Sequence, residues 1–187
     1  MSRAPFVVDL MCHPLEPDTQ VQAIRASLAP QADGGLLLGY LLQGKLAGLR
    51  IPDADTPLPV GRLWAHTCFE LFVAEAGCPA YREFNFSPNG QWMRFDFSAY
   101  RQRSDTSDGP AASIQVSRGP DSLELTARLP AALLPPGDLV LGLTTVVEHA
   151  DGRLTYWALH HPPGKPDFHH RDGLVVTLPL PWKAPAP

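Results

Sequence analysis

Residues 81–97 read YREFNFSPNGQWMRFDF, two short alternating runs on either side of an Asn-Gly pair. Asn89-Gly90 is the strongest short signal for a two-residue hairpin turn. Pairing outward from it sets Phe86 opposite Met93 and Phe84 opposite Phe95 on one face. The other face sets Ser87 opposite Trp92, Asn85 opposite Arg94, and Glu83 opposite Asp96. The alternation agrees on both strands, as a half-buried antiparallel pair requires. The phenylalanine face is expected in a core. The other face carries one large aromatic among groups able to hydrogen-bond.

A second hairpin is expected at Asp151-Gly152. Here Val147 faces Tyr156, Thr145 faces Ala158 and Leu143 faces His160. The opposite face pairs Glu148 with Thr155, Val146 with Trp157 and Thr144 with Leu159. Neither face is plainly solvent, so one is expected to be core and the other covered by a loop or laid open as a groove floor. Further short apolar runs, bounded by turn residues, occupy 21–28, 36–43, 45–51, 66–74, 113–117, 122–129 and 174–178. Only residues 130–134 (PAALL) suggest a helical turn.

Proline separates the fold classes. It accounts for 21 of 187 residues, about twice ordinary usage, and is scattered along the chain. A proline inside a helix loses a hydrogen bond and clashes with the preceding turn, so a helical bundle is excluded. The expected fold is all-β: an antiparallel sandwich, immunoglobulin-like or jelly-roll-like, of ten or eleven strands with little helix. A closed barrel is the alternative. One domain is expected over 1–182, followed by a proline-rich tail at 183–187. Residues 101–112 (RQRSDTSDGPAA) read as a mobile loop.

Net charge is −4 with no basic run, which argues against a nucleic-acid partner. No apolar stretch approaches membrane-spanning length, so no membrane partner is expected. The first residues lack the pattern of a secretory leader. Three cysteines, Cys12, Cys68 and Cys78, form no C-x-x-C pair. Together these features suggest free thiols and a cytoplasmic location. The sequence leaves the oligomeric state open.

Several groups could carry chemistry. Glu70, in CFELFVA, is flanked on its own side by Cys68 and Phe72, so its carboxylate is desolvated unless something reaches it. Glu83 and Asp96, read as opposed, require a positive partner. Arg82 or Arg94 could supply it, or a calcium ion. Paired carboxylates also suggest glycoside hydrolysis, although nothing in the sequence marks a deep cleft. Four histidines, at 160, 161, 169 and 170, bracket PPGKPDF and raise the question of a metal or of an uncharacterised enzyme. Adjacent histidines on an extended chain point apart, which limits that reading. Trp64, Trp92 and Trp157 lie near polar residues and could stack on a sugar ring. No catalytic serine elbow, phosphate loop or zinc-protease motif is present.

The segments CFELFVA (68–74), YREFNFSPNGQW (81–92) and YWALHHPPGKPDFHH (156–170) resemble the DOMON-like family of bacterial proteins. That family is similar to family 9 carbohydrate-binding modules. The resemblance runs from about residue 63 to residue 176. It implies a β-sandwich with a ligand site on or beside a sheet. Across the wider superfamily the ligand is a sugar or a haem. The resemblance places Glu70 in the cleft with Glu83 and Asn85 near it, and makes Trp64 and Trp157 candidate stacking rings.

The leading expectation is thus a non-catalytic module binding a carbohydrate or similar polar small molecule. Its candidate residues are Trp64, Glu70, Glu83, Asn85, Trp92, Arg94, Trp157 and His160, with no cofactor required. The alternative is a haem-binding electron-transfer domain, which needs axial ligands drawn from Met93, Met11, His149 or His160.

Overall fold

The computed structural model describes residues 5–106 and 109–179. The tail at 183–187 lies outside them. Twelve strands form, all paired antiparallel, in two sheets packed face to face. One sheet holds β2 (Val21–Pro30), β3 (Leu36–Gly44), β9 (Ser122–Leu129) and the edge strand β8 (Ser113–Arg118). The other runs β7 (Gln102–Ser104), β6 (Trp92–Ala99), β5 (Tyr81–Phe86), β4 (Cys68–Glu75), β10 (Leu139–Glu148), β11 (Leu154–Ala158). In it β12 (Val176–Leu178) also pairs with β10. The first strand, β1 (Phe6–Cys12), belongs to both sheets. Its residues Phe6 to Leu10 pair with β2, and Met11 and Cys12 pair with β11.

The first sheet follows the simple rule of one face in and one face out. Ile24, Ala26 and Leu28 on β2, Leu36, Leu38, Tyr40 and Leu42 on β3, and Leu123, Leu125, Ala127 and Leu129 on β9 are all buried. They meet Phe69, Leu71, Val73, Phe84, Phe86, Leu141, Leu143, Val147 and Trp157 from the second sheet in one continuous core. The Tyr40 hydroxyl crosses that core and donates to the Glu70 carbonyl at 2.6 Å.

Both hairpins differ from the expected register by one residue, for the same reason. Each has a three-residue loop. Ser87 N–H donates to the Gln91 carbonyl at 2.9 Å, and Gly90 N–H donates to Ser87 at 3.0 Å. His149, Arg153 and Gly152 repeat the pattern at 2.8 Å in each bond. In both loops the third residue is a glycine with φ of +86°, the left-handed conformation that this loop demands. The actual pairs are therefore Phe86–Trp92, Asn85–Met93, Phe84–Arg94, Glu83–Phe95 and Arg82–Asp96. On the second hairpin they are Thr144–Ala158, Thr145–Trp157, Val146–Tyr156 and Val147–Thr155.

Phe84 and Phe86 stay in the core, but β6 is turned over. Trp92 and Arg94 face inward, while Met93, Phe95 and Phe97 face out. Glu83 does not oppose Asp96. That carboxylate is held instead by Arg82 at 3.5 Å and Arg94 at 3.2 Å, so the opposed-acid motive for calcium disappears.

Other corrections are local. Residues 45–51 form a short 3-10 turn (Leu46–Gly48) and a single bridge from Leu49 to His149, not a strand. The expected loop at 101–112 contains β7. Strand β1 was hidden by Asp9, which interrupts its apolar run and pairs with Arg25 at 2.9 Å.

Candidate functional site

Strands β4 and β10 are buried on both faces. Their inner face is the core; their outer face is the floor of a groove. Alternation sends Cys68, Glu70, Phe72 and Ala74 outward from β4, with Tyr81, Glu83 and Asn85 beside them on β5. Thr144 and Val146 rise from β10, and Leu154 and Tyr156 from β11. Residues 159–173 then cross back over this face. They press so near β10 that a side chain at Gly142 would lie 2.9 Å from the Gly173 carbonyl. Phe168 and His169 from this segment pack edge-on against Phe72.

The resulting groove has a volume of about 800 Å³, within the range of small-molecule sites. Its aromatic lining comes from Trp64, Phe72, Phe97, Tyr156 and Phe168. Trp64 is carried by a 3-10 turn (Val60–Ala65) and is 43% exposed. Just after that turn His66 contacts Glu148 at 2.8 Å, and Arg50 binds the same carboxylate at 3.0 Å. This pair fixes the chain that presents the indole.

The floor holds two carboxyl groups, Glu70 at 2% exposure and Glu83 at 5%. Asn85 lies directly across from Glu70 and donates from Nδ2 to Glu83 Oε1 at 2.6 Å. The Cys68 thiol points at Asn85 Oδ1 at 3.5 Å. Thr144 donates to Glu70 Oε2 at 3.2 Å. On the Glu83 side, Arg101 N–H donates to the Tyr81 oxygen at 3.1 Å, and Tyr81 Oη lies 2.8 Å from His169 Nδ1. With Tyr81 donating to Nδ1, the histidine proton sits on Nε2, 3.7 Å from Glu83 Oε2.

Burial governs the acid–base state of these groups. It holds the Glu70 carboxyl well above the usual carboxylate range; the Glu83 charge adds to this and the Thr144 hydroxyl opposes it. Burial also raises Glu83, against the Asn85 hydrogen bond and the charges of Arg103 and Arg101. His169 is lowered to about 4 by burial, with Arg101 adding to the effect, so it is neutral near pH 7. Chemically this is a set of oxygen acceptors walled by rings. The two carboxyls rise from neighbouring strands.

The structure sorts the eight sequence candidates. Trp64, Glu70 and Glu83 line the groove, and Asn85 lies on its floor behind Glu83. Trp92 and Arg94 are on the other side of the sheet, where they line a separate cavity of about 270 Å³. Trp157 is in the core, 6% exposed, with its Nε1 3.4 Å from Thr155 Oγ1. His160 is exposed and lies outside the groove.

Three of the four loop histidines do separate jobs. His161 Nε2 contacts the Met11 carbonyl, His169 contacts Tyr81, and His170 caps a short 3-10 turn (Arg171–Gly173). Among the described residues no three His, Cys, Asp or Glu side chains are grouped to hold a metal. The candidate haem ligands are dispersed too. Met93 packs in the outer cluster with Phe72 and Phe95, and His149 is buried against Asp18 and Thr155.

Sequence reasoning missed Tyr156, Phe168, His169, Arg101, Arg103 and Lys165, all of which line the groove. Tyr156 was legible in principle: a three-residue loop at 150–152 aligns it with Val146 on the Glu70 side.

No protein-family profile matches the chain, and no curated protein matches it in sequence. Solved structures do share its fold. A protein from Bacteroides uniformis, provisionally described as carbohydrate-binding, is 16% identical with a TM-score of 0.66, over 91% of this chain and 83% of that one. A family 9 carbohydrate-binding module from Caldicellulosiruptor kristjanssonii, in complex with cellotriose, gives 13% identity and a TM-score of 0.58, over 83% and 74%. The same kind of module with glucose gives 13% and 0.54, over 79% and 71%. Such likeness speaks to the arrangement of strands.

Proposed function

We propose that the groove on the second sheet binds a carbohydrate without transforming it. The observation that carries this reading is the pair Glu70 and Glu83, the first bonded by Thr144 and the second by Asn85, at the bottom of an aromatic-walled groove. Burying two carboxyls on the outer face of a sheet is costly, and the fold would be easier to build with apolar residues there. Their oxygens are suited to accept from sugar hydroxyls, while Trp64, Tyr156 and Phe168 offer ring faces to the C–H side of a pyranose. The residues that resemble the DOMON-like family fall on this floor and on the segment covering it. The shared fold of modules seen with cellotriose and glucose supports the same reading.

Titration calorimetry with glucose, galactose and cellotriose tests it. Saturable binding is expected, in the micromolar to millimolar range common for ligands whose ordering offsets much of the contact energy. Trp64→Ala and Glu83→Gln should each weaken it by about tenfold or more. Flat isotherms for all three sugars at tens of millimolar, with the protein folded, would overturn the proposal.

A further inference from the structure

The groove is not electrically even from one wall to the other. On the β11 side stand Leu15, Glu16, Leu154 and Tyr156; on the β6–β7 side stand Arg101 and Arg103. Lys165 lines the groove from the segment that crosses over it, two residues before Asp167, which binds Arg101 at 2.8 Å. Three cations thus line a groove in a chain whose net charge is −4. Asp167 accounts for Arg101 alone. Among the described residues Arg103 and Lys165 have no carboxylate within 4.0 Å, and both are exposed.

Arg103 is also oriented. Its guanidinium carbon lies 3.8 Å from the centre of the Phe95 ring, a stacking that leaves the N–H edge of the group free for an oxyanion. Arg101 has φ of +54°, and it is the one non-glycine residue with positive φ among those described. Such a conformation disfavours any residue with a Cβ. Arg101 takes it in the tight turn between β6 and β7, where Ala99 pairs with Gln102, and the turn points its N–H at Tyr81.

We propose that the sugar bound here carries an anionic substituent, a carboxylate or a phosphate ester, whose charge rests against Arg101, Arg103 and Lys165. This rests on the carbohydrate reading above. The ring hydroxyls of such a ligand face Glu70 and Glu83, and its anion faces the opposite sign of charge at the β6–β7 wall. A ligand placed the other way round turns its anion toward Glu16 on the β11 side, so the same charges fix orientation.

Calorimetric titration of glucose and galactose against glucuronate, galacturonate and glucose 6-phosphate tests this, at 20 mM and 500 mM added salt, as an order-of-magnitude contrast in screening. At least one anionic sugar should bind about tenfold tighter than its neutral parent at low salt, with the advantage shrinking at high salt. The double variant Arg103→Gln, Lys165→Gln should bring the ratio of anionic to neutral affinity to about one. An unchanged melting temperature would show that its fold is intact. Which anion wins identifies the source of the charge. Neutral sugars binding as tightly as every acid would overturn this proposal and leave the carbohydrate reading standing. Silence from all five, and from cellotriose, overturns both. An anionic preference that survives undiminished in the double variant would overturn the assignment to these side chains.

Discussion

The two sheets present outer faces of opposite character. On the first sheet, Arg25, Glu124 and Arg128 project into water from strands that alternate cleanly between apolar and polar. On the second, the equivalent outward positions of β4, β5 and β10 are covered, and they hold Glu70, Glu83, Asn85 and Thr144. A strand with one wet face needs only one apolar row. A strand covered on both faces has no such need for polar residues, so a polar group there demands another reason. The outward residues that are both polar and dry lie on the face that carries the proposed sugar groove.

Substitutions on the two kinds of face test this difference. The largest effect is expected in the core that the two sheets share. Leu71→Ala removes a fully buried side chain and should lower unfolding free energy by about 2–5 kcal/mol, read by denaturant titration. An effect near zero would mean that the two faces of β4 are not as different as described.

His169 comes next. Its folded value of about 4 lies below the ordinary 6.5, so the unfolded chain binds the extra proton first as pH falls. Stability is therefore complete above the ordinary histidine value and is lost on acidification through the window down to about pH 4. The loss is on the order of 2 kcal/mol. His169→Asn should flatten that part of a stability–pH curve.

Glu70→Gln should act with the opposite sign. A carboxyl raised by burial is held protonated in the fold and ionises on unfolding, so stability falls as pH rises above the ordinary carboxylate range. The glutamine variant should thus be more stable than the parent at pH 7, by about 0.5–2 kcal/mol. The gain should vanish near pH 4, while sugar binding weakens. A variant less stable at pH 7 would make Glu70 a structural residue.

The smallest effect belongs to the wet face. Glu124→Gln should stay within about 0.5 kcal/mol at any pH.

Much of this contrast was legible in the residues. The strands at 122–129 and 139–148 follow from apolar runs between turn residues, and Glu70 is marked as desolvated by Cys68 and Phe72 on its own side. What failed was parity. Treating Asn-Gly and Asp-Gly as two-residue turns slid both hairpins by one position, and a slip of one exchanges the faces. That slip put Trp92 and Arg94 on the face of Glu83 and Asn85. Pro88 held the corrective signal. In a two-residue turn it would occupy the closing pair, where a backbone N–H is wanted; in the observed loop it is the first loop residue, where its fixed φ suits a type I turn. Phe168, His169 and Lys165 could not be assigned in this way. They reach the groove because a long connection folds back over the sheet, and no local periodicity records where such a segment lands.

β1 gives its first five residues to one layer and its last two to the other. Neither layer can peel off without unzipping that strand from its neighbour, so heating should melt groove and interior in a single cooperative event. Any compound that grips the groove then raises the melting temperature of the entire chain, and a simple thermal-shift screen can search for it without a label or an assay.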